Sequence, residues 1–426
     1  MTAEGTDHES MNSISAAPWP DYTEEEIDAV TAVLRSGKVN YWTGQITREF
    51  EAAFADWCQT KHAIALANGT VALELCLAGL GIGAHYGGHS DDEVIVTPRS
   101  FIASASVIVN AGASPVFVDV GADSQNIEAS AIAAAITTKT RAVVCVHLAG
   151  WPCDMDAIRA VCEGRDIQLI EDCAQAHGAI YNGRPVGGLG DVAAWSFCQD
   201  KIMTTGGEGG MVTCNDESLW KRMWSLKDHG KGFDTVHNLA GGPGFRWLHE
   251  RFGTNWRLTE MQSAIGLIQL GRMAEWSDAR QRNAGILQSH LSNLAIDSGP
   301  VRLPHLKCSF CTSTGICNKQ RCRHAWYRAY LFVRPNRLAN GWSRDRLVAE
   351  LRSVGVPCMQ GSCSEIYRES AFEGHRSRPA TPLPVAKQLG EDSIAFLVHP
   401  TINDTTMTEI ATATANIVSK AAIAQS

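Results

Sequence analysis

Short apolar runs alternate along the first half of the chain with stretches in which apolar residues recur at helical spacing. A short apolar run is typical of a buried strand, and alternation of such strands with helices is typical of a parallel sheet. The sequence therefore predicts an α/β fold, in which helices cover both faces of a large, mostly parallel sheet. The strands are predicted at residues 63–66, 94–96, 116–120, 142–147, 168–172 and 193–197.

The pattern changes near Trp276, where charged and apolar residues begin to repeat along a long helix. This change predicts a large domain over residues 18–275 and a smaller C-terminal α/β domain over 276–426. The polar residues 1–17 are predicted to form a flexible arm. After the long helix we predict a strand at 327–333, a helix at 344–354 and a closing helix after Asp404.

The composition is that of a large globular protein, since 45% of the 426 residues are hydrophobic and 19% are charged. The 37 basic and 45 acidic residues leave a net charge of −8 with no basic run, which argues against binding to nucleic acid or to an anionic membrane. No apolar stretch reaches the roughly 18 residues of a membrane span, and no signal peptide is recognisable. Because thiols in buried strands, such as Cys145, suit a reducing compartment, we expect a cytoplasmic protein.

The segment Asn68-Gly69-Thr70 separates the first predicted strand from a helix. Glycine allows close approach to the backbone, and the first amides of a helix have no partner within it, so the segment can bind a phosphate group. The same residues also make an ordinary turn and helix cap. This segment alone leaves both interpretations open.

Two polar side chains lie at or after the ends of later predicted strands. Asp172 ends the strand predicted at 168–172, and open α/β sheets bind ligands at that edge. Lys201 follows Ser196 in a Ser-x4-Lys pattern and precedes the glycine-rich loop 206–210. Taken singly, Asp172 is a strand-end cap and Lys201 a surface lysine. Together they match what pyridoxal phosphate requires: an amine that forms a Schiff base, and a buried carboxylate that keeps the pyridine nitrogen protonated.

The sequence resembles the DegT/DnrJ/StrS family of pyridoxal-phosphate sugar aminotransferases from Trp19 to about Val418. The resemblance implies an aspartate-aminotransferase-like fold of type I, in which the large domain binds the cofactor. It rests on segments 41–44, 68–73, 115–120, 171–178, 253–257, 324–327, 384–386 and 399–400, together with the loop that contains Lys201.

Matched to the family position by position, Lys201 resembles the lysine that forms the internal aldimine, and Asp172 resembles the partner of the pyridine nitrogen. Gln175 falls beside the ring, near its hydroxyl group. Phe101 falls where the family places an aromatic residue that stacks on the ring. On this basis we also expect Lys201 to carry the proton between the substrate carbon and the cofactor carbon.

The resemblance also implies how the phosphate group is held. Gly69, Thr70 and Ser196 match the phosphate-binding positions of the same chain. Asn255 matches a position from which the neighbouring subunit reaches the phosphate. We therefore expect a homodimer with shared active sites.

The implied reaction moves an amino group from an amino acid, which the family suggests is glutamate, to a nucleotide-linked keto-sugar. The product would serve a surface polysaccharide or a glycosylated metabolite. Amination of a cyclitol or other cyclic ketone precursor remains an alternative. A sugar dehydratase is a second alternative, but Lys201 argues against it because those relatives carry histidine there. The intact Asp172, Ser196 and Lys201 disfavour a third alternative, a non-enzymatic regulator.

Some features lie outside these roles. Residues 83–90 lengthen a turn that is usually short, and residues 361–367 stand where the family often has a histidine-rich substrate loop. His177 and His229 lie in or near the matched segments, and we assign neither to catalysis. Four cysteines have spacings that can hold zinc, but the family has no metal requirement and we predict no metal. They are Cys308, Cys311, Cys317 and Cys322.

Overall fold

The computed structural model describes residues 14–238, 247–304 and 321–423. Two main sheets organise these residues, one of seven strands and one of four. The strands of the larger sheet are β1 (His62–Leu66), β2 (Glu93–Val96), β3 (Ser114–Phe117), β4 (Thr140–Val146), β5 (Gln168–Asp172), β8 (Val192–Ser196) and β9 (Gly210–Cys214). A separate pair, β6 (Ile180–Tyr181) and β7 (Arg184–Pro185), forms a small antiparallel ribbon.

The larger sheet has the strand order β1-β9-β8-β5-β4-β2-β3. Its pairs are parallel except for the two that β9 makes with β1 and β8. The apolar pattern predicted the other six strands but not β9, a short strand that directly follows the glycine-rich loop. The α/β prediction with a mostly parallel sheet is confirmed.

Helices cover both faces of the larger sheet because alternate side chains of each strand point to opposite faces. In β4, Val143 and Cys145 pack into one apolar core, whereas Ala142 and Val144 pack into the other. The helices of this part are α1 (Glu24–Ser36), α2 (Ile46–Cys58), α3 (Gly69–Leu80), α4 (Ala103–Asn110), α5 (Ala129–Ala135), α6 (Met155–Cys162), α7 (Glu217–Lys227) and α8 (Phe233–Asn238). The first core includes residues of α2 and α6, and the second includes residues of α3, α4 and α7.

The smaller sheet is antiparallel, with the order β10-β11-β13-β12. Its strands are β10 (Val301–Arg302), β11 (Ala329–Val333), β12 (Cys358–Met359) and β13 (Ser393–Phe396). The remaining helices are α9 (Glu260–Leu291), α10 (Arg344–Ser353), α11 (Pro384–Asp392) and α12 (Asp404–Ala421). No helix in the described ranges is long and apolar enough to cross a membrane.

The long helix α9 begins well before Trp276, because Thr259 and Gln262 form a capping box at its start. The helix therefore runs through residue 276, and the domain boundary expected there stays a prediction. Gly266 of α9 lies against α2, where a Cβ atom would be 2.6 Å from the Phe50 ring. This close contact joins the long helix to the core under the larger sheet.

We expect Gly266→Ala to lower the free energy of unfolding by about 1–3 kcal/mol, because the added methyl group overpacks the contact with Phe50. Gly271 of the same helix faces open space, so Gly271→Ala should raise it by up to about 1 kcal/mol through helix propensity alone. Urea unfolding followed by circular dichroism measures both changes. Equal effects of the two substitutions would contradict the packing described for Gly266.

Candidate active site

A cavity of about 600 Å³ opens where β1, β5 and β8 end at the carboxyl edge of the larger sheet. Open α/β sheets bind ligands at this edge because the loops and helix N-termini that follow parallel strands converge there. Seven of the predicted site residues line the cavity, namely Gly69, Thr70, Phe101, Asp172, Gln175, Ser196 and Lys201. The chain therefore brings these residues together from four separate segments.

One end of the cavity is formed by the first turn of α3. The Asn68 side chain caps this helix by accepting a hydrogen bond from the Val71 amide at 2.9 Å. The amides of Gly69 and Thr70 lie in the first turn, where the helix itself offers them no acceptor. A Cβ atom on Gly69 would lie 2.5 Å from Cβ of Ser196 and 2.9 Å from its hydroxyl oxygen. This close approach places amides and a hydroxyl where they can hold a phosphate group.

Asp172 lies at the end of β5 and is buried. Its carboxylate accepts hydrogen bonds from the Ser104 hydroxyl at 2.7 Å and from the Ala174 amide at 3.2 Å. Burial nevertheless raises the pKa of Asp172, although these donors and the Lys201 amine favour the charged form. A nearby cation, such as a protonated pyridine nitrogen, would stabilise the charged form of this buried carboxylate. Ser104 was not predicted as a site residue, because nothing in the local sequence pattern shows that the start of α4 meets the end of β5.

Gln175 and Phe101 complete the cavity wall. The Gln175 side-chain oxygen accepts a hydrogen bond from the Ala149 amide at 2.8 Å, which leaves its NH₂ group as a donor. Phe101 is 67% exposed beside the cavity, so its ring is available to cover a planar ligand. Both positions are compatible with the roles predicted for them.

Lys201 follows β8 and keeps 16% of its side chain exposed. Its amine lies 3.5 Å from the Asp200 carboxylate and 5.1 Å from the centre of the Tyr327 ring. The Trp19 indole donates a hydrogen bond to the Lys201 carbonyl at 2.8 Å. Burial alone would lower the pKa of Lys201, but Tyr327 and Asp200 outweigh it and leave that pKa raised. Asp200 adjoins Lys201 in the sequence. Tyr327 and Trp19 are far from it along the chain, so only the fold shows that they are its neighbours.

Glu171 precedes Asp172 but points to the other face of the sheet, where it is buried. It accepts hydrogen bonds from the amides of Gly187, Leu189 and Gly190 and from the His147 ring at 3.0 Å. Burial opposes its charge, but His147 and the amides lower the pKa of Glu171.

Glu171, His147 and Cys173 are close enough to share a metal ion. Both nitrogens of His147 are nevertheless used in hydrogen bonds, so the cluster has a structural role.

The two histidines left without a role are placed differently. His177 is buried between Trp195 and Phe197, with ring centroids 5.1 and 5.7 Å away. Burial, followed by the charges of Lys201 and Arg280, lowers the pKa of His177 to about 3, so it is uncharged at neutral pH. His229 is exposed, and its carbonyl accepts a hydrogen bond from the His249 ring.

Asn255 is the predicted site residue that is not among those lining the cavity. It is exposed, and its backbone forms a bridge with Asp228. The predicted role of Asn255 at a neighbouring subunit stays a prediction. Among the four cysteines with zinc-like spacing, Cys308, Cys311 and Cys317 lie outside the described residues. Cys322 is buried, with its sulfur 3.4 Å from the Asn182 amide nitrogen.

The DegT/DnrJ/EryC1/StrS aminotransferase family model matches residues 20–415. This chain belongs to that family. It is 40% identical over 74% of its length to the GDP-perosamine synthase of Caulobacter vibrioides, of which the match covers 75%. It is 37% identical over 90% of its length to the dTDP-3-amino-3,4,6-trideoxy-alpha-D-glucose transaminase of Streptomyces venezuelae, of which the match covers 89%. The crystal structure of an aminotransferase from Psychrobacter cryohalolentis is 50% identical, with a TM-score of 0.90 over 96% of this chain and 100% of that one.

These findings confirm the family resemblance and the aspartate-aminotransferase-like fold class. The protein is a pyridoxal-phosphate-dependent aminotransferase. The residues present fit the cofactor, because Gly69 lets the first turn of α3 approach the Ser196 hydroxyl closely and Asp172 offers a buried carboxylate to the ring nitrogen. When bound, the cofactor supplies an electron sink for the charge that forms when a substrate carbon loses a proton.

We expect Gly69→Ala to weaken pyridoxal phosphate binding by about tenfold or more, because the new methyl group would displace Ser196 from the phosphate position. Titration of the apoenzyme with the cofactor, followed by visible absorbance, measures the affinity. Gly285→Ala is the matched control, since Gly285 lies in α9 with open space around its Cβ position. An affinity unchanged by Gly69→Ala would mean that the phosphate is bound elsewhere.

Proposed function

We propose that this aminotransferase transfers the amino group of glutamate to a nucleotide-linked keto-sugar, to give an amino sugar for a polysaccharide or a glycosylated metabolite. The observation that carries the proposal is the convergence of Lys201, Asp172 and the first turn of α3 on one cavity. The names of the two curated relatives support the substrate class, since one specifies a GDP-linked and the other a dTDP-linked sugar.

Each of the chain's own groups has a defined task in this proposal. The amides of Gly69 and Thr70, with the Ser196 hydroxyl, hold the phosphate. The Asp172 carboxylate would pair with the protonated pyridine nitrogen and so keep the ring electron-poor. The Lys201 amine would hold the cofactor and, as a base, would move a proton at the substrate carbon.

Two further groups would orient the ring. The Gln175 oxygen accepts a hydrogen bond from the Ala149 amide, so the Gln175 NH₂ group would serve as a donor to the ring hydroxyl. The Phe101 ring would stack on the cofactor and exclude water from it.

We also propose a cytoplasmic enzyme that works as a homodimer. Buried thiols such as Cys145 and Cys173 form no disulfide, which suits a reducing compartment. Asn255 is exposed, and the neighbouring Phe252 is fully exposed to solvent in the single chain. A large apolar side chain of this kind next to Asn255 supports an interface on this surface.

The reaction is tested by mixing the holoenzyme with glutamate and a panel of nucleotide-linked keto-sugars while 2-oxoglutarate is measured. We expect turnover with at least one sugar, and we expect Lys201→Ala to reduce it by at least about 10²–10⁴-fold because the base is lost. Borohydride should fix the cofactor covalently on Lys201 of the unmodified enzyme. Lys420→Ala, at an exposed position near the end of α12, is the control and should keep full activity.

Full turnover by Lys201→Ala would exclude the role proposed for this lysine. If the enzyme instead aminates cyclitols or other cyclic ketones and ignores every nucleotide-linked sugar, the substrate class is wrong but the site assignment stands.

A shared active site predicts complementation between two variants. Asn255→Ala should weaken pyridoxal phosphate binding by about 10- to 100-fold through loss of a hydrogen bond to a charged group. Lys201→Ala should be inactive but retain Asn255. In a mixed dimer, one site then carries both defects and the other carries neither, so activity at limiting cofactor should partly recover.

The mixture is compared with each variant alone after exchange of subunits has been verified by mass. Activity that never exceeds the sum of the separate variants would rule out sharing through Asn255. A fully active monomer at high dilution would rule it out as well.

A further inference from the structure

Asp200 directly precedes Lys201, and its carboxylate contacts three groups. One oxygen lies 3.5 Å from the Lys201 amine. The other lies 3.6 Å from the Arg328 guanidinium and accepts a hydrogen bond from the Tyr327 hydroxyl. Asp200 is therefore shared between the lysine of the active site and two residues that follow one another elsewhere in the chain.

Tyr327 and Arg328 lie just before β11 of the smaller sheet, whereas Asp200 and Lys201 lie after β8 of the larger one. The backbone of Tyr327 is held by a hydrogen bond from its amide to the Ala149 carbonyl at 2.9 Å. Its ring lies under the Lys201 amine, and the Arg328 guanidinium lies 4.8 Å from the centre of the same ring. The smaller sheet thus anchors the carboxylate that faces the lysine.

We propose that Asp200, anchored by Tyr327 and Arg328, is a positioning residue that aims the Lys201 amine and favours its protonated form. The inference rests on the role proposed above for Lys201. When the amine takes a proton from the substrate carbon it becomes a cation, and the Asp200 carboxylate stabilises that charge at 3.5 Å. Arg328 acts in the opposite direction, because it shares the same carboxylate and partly neutralises it.

The Asp200 side chain is 52% exposed, so solvent screens its effect and the expected shift is modest. Other charged or titratable groups also act on Lys201 or are influenced by it. They are Cys198 on the same loop, Asp172 at the end of β5, His177 after that strand, and Tyr327 and Arg328 before β11. Removal of the Asp200 charge and removal of the Arg328 charge should shift the pKa of the Lys201 nitrogen in opposite directions.

The test uses the holoenzyme and follows the visible absorbance of bound pyridoxal phosphate against pH, which reports the proton on the Lys201 nitrogen without turnover. Asp200→Asn should lower the midpoint of this titration by about 1 pH unit, because a negative charge beside the proton is lost. Arg328→Gln should raise it, because the guanidinium no longer partly neutralises the Asp200 carboxylate beside Lys201. Asp200→Glu keeps the carboxylate and should keep the midpoint close to that of the unmodified enzyme.

Asp345→Asn is the matched control, since this exposed carboxylate also lies beside an arginine but belongs to α10. Its midpoint should not move. Midpoints unchanged by both Asp200→Asn and Arg328→Gln, with borohydride still labelling Lys201, would overturn the proposal for Asp200 alone. Absence of labelling at Lys201 in the unmodified enzyme would overturn both this proposal and the role of the lysine. If Asp200→Asn does not fold, the upward shift in Arg328→Gln decides the question.

Discussion

Parallel pairing of β4, β5 and β8 sets the position of most groups in the active site. Asp172, the last residue of β5, pairs with Val146 on one side and Ala194 on the other. Because the three strands run in the same direction, their carboxyl ends meet at one edge. The chain that follows β5 and β8 lines the cavity, and Ala149, which follows β4, donates a hydrogen bond to Gln175 there. The antiparallel strand β9 extends this edge, because Gly210 pairs with both Ser196 and Leu66. The hydroxyl of Ser196 and the first turn of α3 meet for that reason.

Two adjacent carboxylates on β5 have different environments, so that one stabilises the fold and the other faces the active site. Glu171 has three backbone amides and a histidine as donors, and they lower its pKa despite burial. Asp172, on the opposite face, has fewer donors, and burial raises its pKa. A fully bonded Glu171 therefore stabilises the strand and the loop 187–190, whereas Asp172 keeps the capacity to pair with a cation.

The two sheets are connected near the active site by polar contacts. Arg99 is fully buried next to the cavity residues Ser100 and Phe101, and it donates hydrogen bonds to Ser364 and Ser393. On the other side of the cavity, Tyr327 and Arg328 bind Asp200. The buried bonds of Arg99 are costly to break and the Asp200 contacts are partly exposed, but both sets connect loops at the cavity to the part of the chain that forms the smaller sheet.

The α/β class and six of the seven strands of the larger sheet could be predicted from the sequence, because strand periodicity is a local feature. Local motifs and the family resemblance together also predicted seven residues that line the cavity, whereas their contacts with pyridoxal phosphate stay predictions. The distant groups beside them, such as Ser104 beside Asp172 and Tyr327 beside Lys201, became visible only in the folded chain. Those contacts depend on how helices and sheets pack, and packing joins residues whose separation along the chain carries no information about their distance in space.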